Sequence, residues 1–160
     1  MEDIWNITAL VVSVLSMLLS LYALRQATTK NTSDMYLFFI SQYAKEDMKL
    51  ALRKLKDIKR GVYRLEQWES DMKNNLPKAF EYDEARRLVK YFYDTLAYMK
   101  LEKLIEARFV RLICLKKGAW LYLDTVEAME KFFDSGYDKK PYAVIRDVCE
   151  NLRKEGCCPP

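Results

Sequence analysis

Hydrophobic and polar positions divide this chain into two unequal parts. From Ile4 to Leu24, 21 residues pass without a charged side chain, with Glu2 and Asp3 before them and Arg25 and Lys30 after. At ~1.5 Å per helical residue that length crosses a hydrocarbon core of ~30 Å. Lipid offers no hydrogen-bond partner to backbone groups, so such a segment spans as a helix. A cleaved signal peptide, the rival reading, calls for a basic start, a shorter apolar run and small residues at the cut. Here the start is acidic, and Arg25 spoils a small-x-small site ending at Ala27. The pattern predicts an uncut anchor over residues 1–30, with the span at about 4–24.

After the anchor the apolar positions recur at three and four residues, the period of helices with one buried face. Met35 to Ala44 reads as a short aromatic helix, with Tyr36, Phe39 and Tyr43 on one side. Lys45 to Arg60 comes next, with Met48, Leu52, Leu55 and Ile58 inward and Gly61 as its stop. Val62 to Leu76 holds a further helix or an irregular connection around Trp68, ended by Pro77. A helix opens at Tyr82-Asp83-Glu84 with Asp83 as N-cap, its stripe Ala85, Leu88, Val89, Phe92, Leu96 and Met99. Leu101 to Leu115 is expected to turn Leu104, Ile105, Phe109, Leu112 and Ile113 inward. Trp120 to Phe133, closed by Ser135-Gly136, and a last helix from Pro141 to about Lys154 complete the series. Few Gly and Pro and no alternating β-branched run make the class all-α. The expected fold is therefore a single N-terminal transmembrane helix, then a small helical bundle over 31–155, then a flexible tail at 156–160.

One stripe of the anchor is distinctive. Asn6, Ala9, Ser13, Ser16, Ser20, Ala23 and Ala27 succeed one another at alternating spacings of three and four. Small residues let helix backbones approach closely in lipid, and hydroxyls can bond across the contact. The stripe reads as a docking face for a membrane protein partner or a second copy. The plainer reading is that serines are tolerated because they bond back to their own carbonyls.

Charge sets orientation. Basic residues favour the cytoplasmic flank, so the N-terminus is expected outside and the helical domain in the cytoplasm of a single-pass cell-membrane protein. Setting aside Glu2 and Asp3, 27 basic side chains face 21 acidic ones. That surplus suits an anionic leaflet and is too diluted by Asp and Glu for nucleic acid. It concentrates on one helix: Lys45, Lys49, Arg53, Lys54, Lys56, Lys59 and Arg60 form a basic membrane-proximal face, a candidate contact for anionic lipid. The bland alternative is a core-facing helix with a solvated basic side.

Little in the sequence suggests catalysis. There is no histidine, no Gly-rich phosphate loop and no nucleophile elbow. Asp94 with Tyr98, and Asp124 with Glu127, stand a turn apart, as surface carboxylates commonly do. Arg86 and Arg87 beside Tyr91 are expected solvated or paired with Glu. Cys114 and Cys149 read as small core hydrophobes, and Cys157-Cys158 belongs to the tail. No metal or cofactor is expected. The aromatics are expected to fill the core, leaving Tyr93 and Tyr122 on a surface that meets another protein.

Leu88-Val89-Lys90-Tyr91-Phe92-Tyr93-Asp94-Thr95-Leu96-Ala97, the helix to Leu115, Gly118 and the Trp120 helix carry a resemblance. Together with the upstream anchor, aromatic helix and basic helix, they resemble a prokaryotic domain-of-unknown-function family. Its members carry one N-terminal transmembrane helix and a small helical cytoplasmic domain. Where that family has a Gly after the first of these helices, this chain has Lys100-Leu101. The resemblance implies topology and no activity. The resulting expectation is a non-enzymatic accessory or adaptor protein that docks through its membrane helix. The alternative is a membrane-tethered ligand sensor or effector with an aromatic helical-bundle site.

Overall fold

In a computed structural model, residues 15–23, 33–133 and 137–157 are described. The chain divides into two compact units, Met1–Leu37 and Phe38–Pro160. In the first, residues 15–23 and 33–37 are helical. Most of the expected span 4–24, and with it Asn6, Ala9, Ser13 and Ala27 of the small-residue stripe, lies outside the described residues. Among those described, no helix is long and apolar enough to cross a membrane. Ser16, Ser20 and Ala23 are helical and exposed, and the Ser20 hydroxyl donates to the Ser16 carbonyl at 2.8 Å. This is the back-bonding by which a helix satisfies its own serines.

The second unit is all-α among its described residues. Helical residues 38–44 lead into α1 (Glu46–Lys59), α2 (Leu65–Lys73), α3 (Pro77–Leu101), α4 (Ala107–Cys114) and α5 (Lys117–Leu121). A π-helical turn, Tyr122–Val126, joins α5 to α6 (Glu127–Phe133), and α7 (Lys139–Lys154) ends the series. The longest helix, α3, is the axis against which α1, α2, α7 and the π turn pack. Its buried positions, Ala79, Tyr82, Ala85, Val89, Phe92, Tyr93, Leu96 and Ala97, wrap more than one stripe because it has neighbours on several sides.

Four helix ends share one device. After α1, α2, α3 and α7, Gly61, Asn75, Lys103 and Gly156 take positive φ. The next residue's amide then reaches back to the last turn, as Val62 does to Asp57 at 3.0 Å and Leu104 to Met99 at 2.9 Å. These bonds satisfy carbonyls that the helix leaves without partners.

Several expectations need correction. Pro77 starts α3 rather than ending a segment, its fixed φ suiting the first helical position. Asp83 is therefore no N-cap. It lies buried inside α3, where two arginines satisfy it. Helix α3 stops at Leu101, and the turn at Lys103 changes which side chains of the next segment face the core. Leu104 and Leu112 are thus exposed, while Ile105, Val110 and Ile113 go inward. The Trp120–Phe133 helix exists but is interrupted by the π turn, whose extra residue rotates the side chains beyond it.

Cys114 and Cys149 do pack in the core as free thiols. A hydrogen bond to Cys149, together with burial, holds the Cys114 thiol above its ordinary pKa. Trp68 is also fully buried, its indole N–H donating to the Ala79 carbonyl at 3.2 Å and its ring meeting those of Phe132 and Phe133 edge-on.

Candidate functional site

The basic face expected on α1 is the wall of a groove. Lys49, Arg53, Lys56, Lys59 and Arg60 recur at three and four residues, so they stand on one side of the helix with Leu52 among them. Opposite stand Lys117, Gly118, Trp120 and Leu121 of α5, with Tyr43 and Arg153 (the latter from α7) completing a cavity of about 960 Å³. Seven cations line it, and no carboxylate does.

Glycine permits this geometry. A Cβ on Gly118 would lie 2.7 Å from the Tyr93 hydroxyl and 3.0 Å from the Tyr43 ring. Without it, α5 settles against both tyrosines, and the Gly118 amide donates to the Tyr43 hydroxyl at 3.2 Å. Burial raises the Tyr43 pKa, so that hydroxyl is neutral at physiological pH. The Trp120 indole N–H is buried without a hydrogen-bond partner among the described residues.

The groove cations are poorly compensated. Lys49 pairs with Glu46 at 3.3 Å, and Lys59 with Asp124 at 2.5 Å. Arg53, Lys56, Arg60, Lys117 and Arg153 make no ion pair among the described residues. Elsewhere charges are matched: Lys54 reaches Glu81 at 3.0 Å, and Arg111 grips Glu155. Of the seven residues expected on the basic face, then, five line the groove. Lys54 does not, and neither does Lys45, which stands exposed ahead of α1.

Tyr93 and Tyr122, expected on a partner surface, are fully buried. They stack with centroids 5.1 Å apart, and Tyr122 stacks on Tyr142 at 4.5 Å. Helices close around α3 on several sides and the π turn packs against it, so both rings lie in the core rather than on a surface. The Tyr122 hydroxyl donates to Asp94 at 2.5 Å, and burial followed by that bond pushes its pKa far up. Around Asp94 lies a second polar region. Asp83 binds Arg86 and Arg87, both at 2.7 Å, Lys90 reaches Asp94 at 2.7 Å, and Arg86 also meets Glu130. Glu127 takes the Tyr137 hydroxyl and the Arg146 guanidinium. Every carboxylate here has a cation or hydroxyl against it, which is the chemistry of a structural network.

No cluster of three or more Cys, Asp or Glu among the described residues could hold a metal ion. Lys117, Trp120 and Arg153 were absent from the expected site because elements distant in sequence bring them to α1. A scan against protein-family models, a search of curated proteins and a search of solved structures each return no match.

Proposed function

We propose that this chain is a non-enzymatic accessory protein of the cell membrane. In this reading residues 4–24 span the bilayer, with the N-terminus outside and the Phe38–Pro160 unit in the cytoplasm. The stripe through Ser16, Ser20 and Ala23 docks against a membrane partner or a second copy, and the basic groove recognises an anionic partner. One observation carries the last statement. Five cations drawn from three helices converge on one cavity without carboxylates to neutralise them. Like charges gathered this way destabilise a fold slightly, which is understandable if a partner of opposite charge supplies the balance.

The second reading, a membrane-tethered ligand sensor, is favoured by the size of the same cavity, which lies in the range of small-molecule sites. Its receiving site would be the groove, since the aromatic residues first considered for it form the core.

Purification from native membranes in mild detergent, with mass spectrometry of co-eluting species, tests the leading reading. A stoichiometric membrane partner that is lost on Ser16→Leu/Ser20→Leu substitution supports accessory docking. Elution as a lone species removes the hetero-subunit reading. Recovery of the protein only in the soluble fraction overturns the anchor.

A further inference from the structure

We propose that the groove binds an oligophosphate, meaning two or three clustered phosphate groups on one ligand. This rests on the groove's being an anion site, as inferred above, and adds the chemistry of the anion.

Charge density is the argument. Arg53, Lys56, Arg60, Lys117 and Arg153 line one cavity of about 960 Å³ and have no ion pair among the described residues. A phosphate monoester carries roughly −1.5 to −2 at neutral pH, so two or three phosphates balance five cations within that volume. A carboxylate carries a single charge, so an acidic peptide would need five of them crowded into the same space. Donor geometry agrees. Three of the five are arginines, whose planar forks fit phosphate oxygens in pairs, and the two lysines add point charges between them. The arginines also come from two different helices, α1 and α7. Their convergence is therefore a tertiary feature, whereas a merely solvated basic helix would hold all its charges on one element. Leu52, Trp120 and Leu121 add apolar surface to the same lining.

Two sources supply this chemistry: a free oligophosphate and a multiply phosphorylated lipid headgroup. The full-length protein in a neutral detergent distinguishes them by Trp fluorescence and thermal unfolding. Inorganic tripolyphosphate is one probe, and detergent micelles doped with phosphatidylinositol bisphosphate are the other. Orthophosphate and sulfate serve as controls.

Saturable binding of either probe, at least about tenfold tighter than orthophosphate, is expected, with a rise in Tm because the ligand binds only the folded state. Arg53→Gln and Lys56→Gln are each expected to weaken it by about tenfold, the loss of one charge-assisted contact. Tighter binding of tripolyphosphate identifies a free ligand, and tighter binding of the doped micelles identifies a headgroup. Either result upholds the proposal.

Failure of both probes to bind, or undiminished binding by the two Gln variants, overturns it. Equal affinity for sulfate also overturns it, because any anion would then serve. If the probes fail while a native partner still co-purifies, and is lost on Arg53→Glu/Lys56→Glu substitution, the groove takes an acidic protein. The accessory reading then survives without this inference.

Discussion

The interior network around Arg86 and the open groove beside α1 both gather charge, and they treat it in opposite ways. Asp83, Arg86, Glu127 and Glu130 are buried, and each is paired. The groove cations are exposed or half-exposed, and five of seven are unpaired among the described residues. Water explains the contrast. Removing an ion from water costs several kcal/mol, so an unmatched charge inside α3 or α6 would be expelled or neutralised. A cation on the rim of a groove keeps its hydration and tolerates the absence of a partner. Pairing in the interior is thus imposed by folding, whereas a surplus at the surface is free to serve recognition.

Breaking the interior should therefore cost the most. Arg86→Met leaves Asp83 with only the exposed Arg87, and leaves Glu130 with only the more distant Lys90, 3.7 Å away. A loss of about 3–5 kcal/mol is expected in urea unfolding. A variant within about 1 kcal/mol of the parent would mean that the pairing does not hold this region together.

Gly118 joins the two regions, since it faces the groove and also abuts the buried Tyr93. Gly118→Ala is expected to cost about 1–3 kcal/mol by overpacking. The Tyr93 hydroxyl has no hydrogen-bond partner among the described residues, so adding Tyr93→Phe should recover part of the loss by removing the nearest clashing atom. If the double variant is no better than Gly118→Ala alone, the Tyr43 ring sets the constraint.

Alkaline pH sharpens the comparison without mutation. Burial and the bond to Glu127 push Tyr137 up to about 12, and Tyr122 and Tyr142 are raised further, chiefly by burial. Tyrosine in an unfolded chain titrates near ~10. The folded state therefore holds these protons more tightly, and its advantage is complete below the unfolded pKa. Stability should fall as pH rises through the window from about 10 to about 12. Tyrosinate absorbance should lag in the folded protein, and a full rise near pH ~10 before unfolding would show that these hydroxyls are open to solvent.

The smallest effect on stability is expected in the groove. Arg53→Gln and Lys56→Gln should each change unfolding free energy by no more than about 0.5 kcal/mol, as exposed substitutions usually do. Added salt should narrow even that difference, because it screens the repulsion among the remaining cations. A loss above about 1 kcal/mol would place these side chains in the packing of α1 and remove the contrast with the interior.

Much of this was legible in the sequence. Helical class, the inward stripe of α1 through Met48, Leu55 and Ile58 (but not Leu52, which lines the groove), the stop at Gly61 and the burial of Cys114 and Cys149 all come from local period and local steric preference. Those are properties of neighbouring residues, so a chain read in one dimension contains them. The charge-free run from Ile4 to Leu24 is of the same kind. Tertiary structure alone decided the rest. Pro77 could end or begin a helix, and Asp83 could cap a terminus or sit among arginines. Tyr93 and Tyr122 could face a partner or each other, and the outcome depended on which elements closed around α3. The groove is the clearest case. Five of its cations stand along α1 and its C-terminal cap, close to one another in sequence, but Lys117 and Arg153 reach it only after the chain has turned back several times. Periodicity places a side chain on a face; only packing determines which two faces meet.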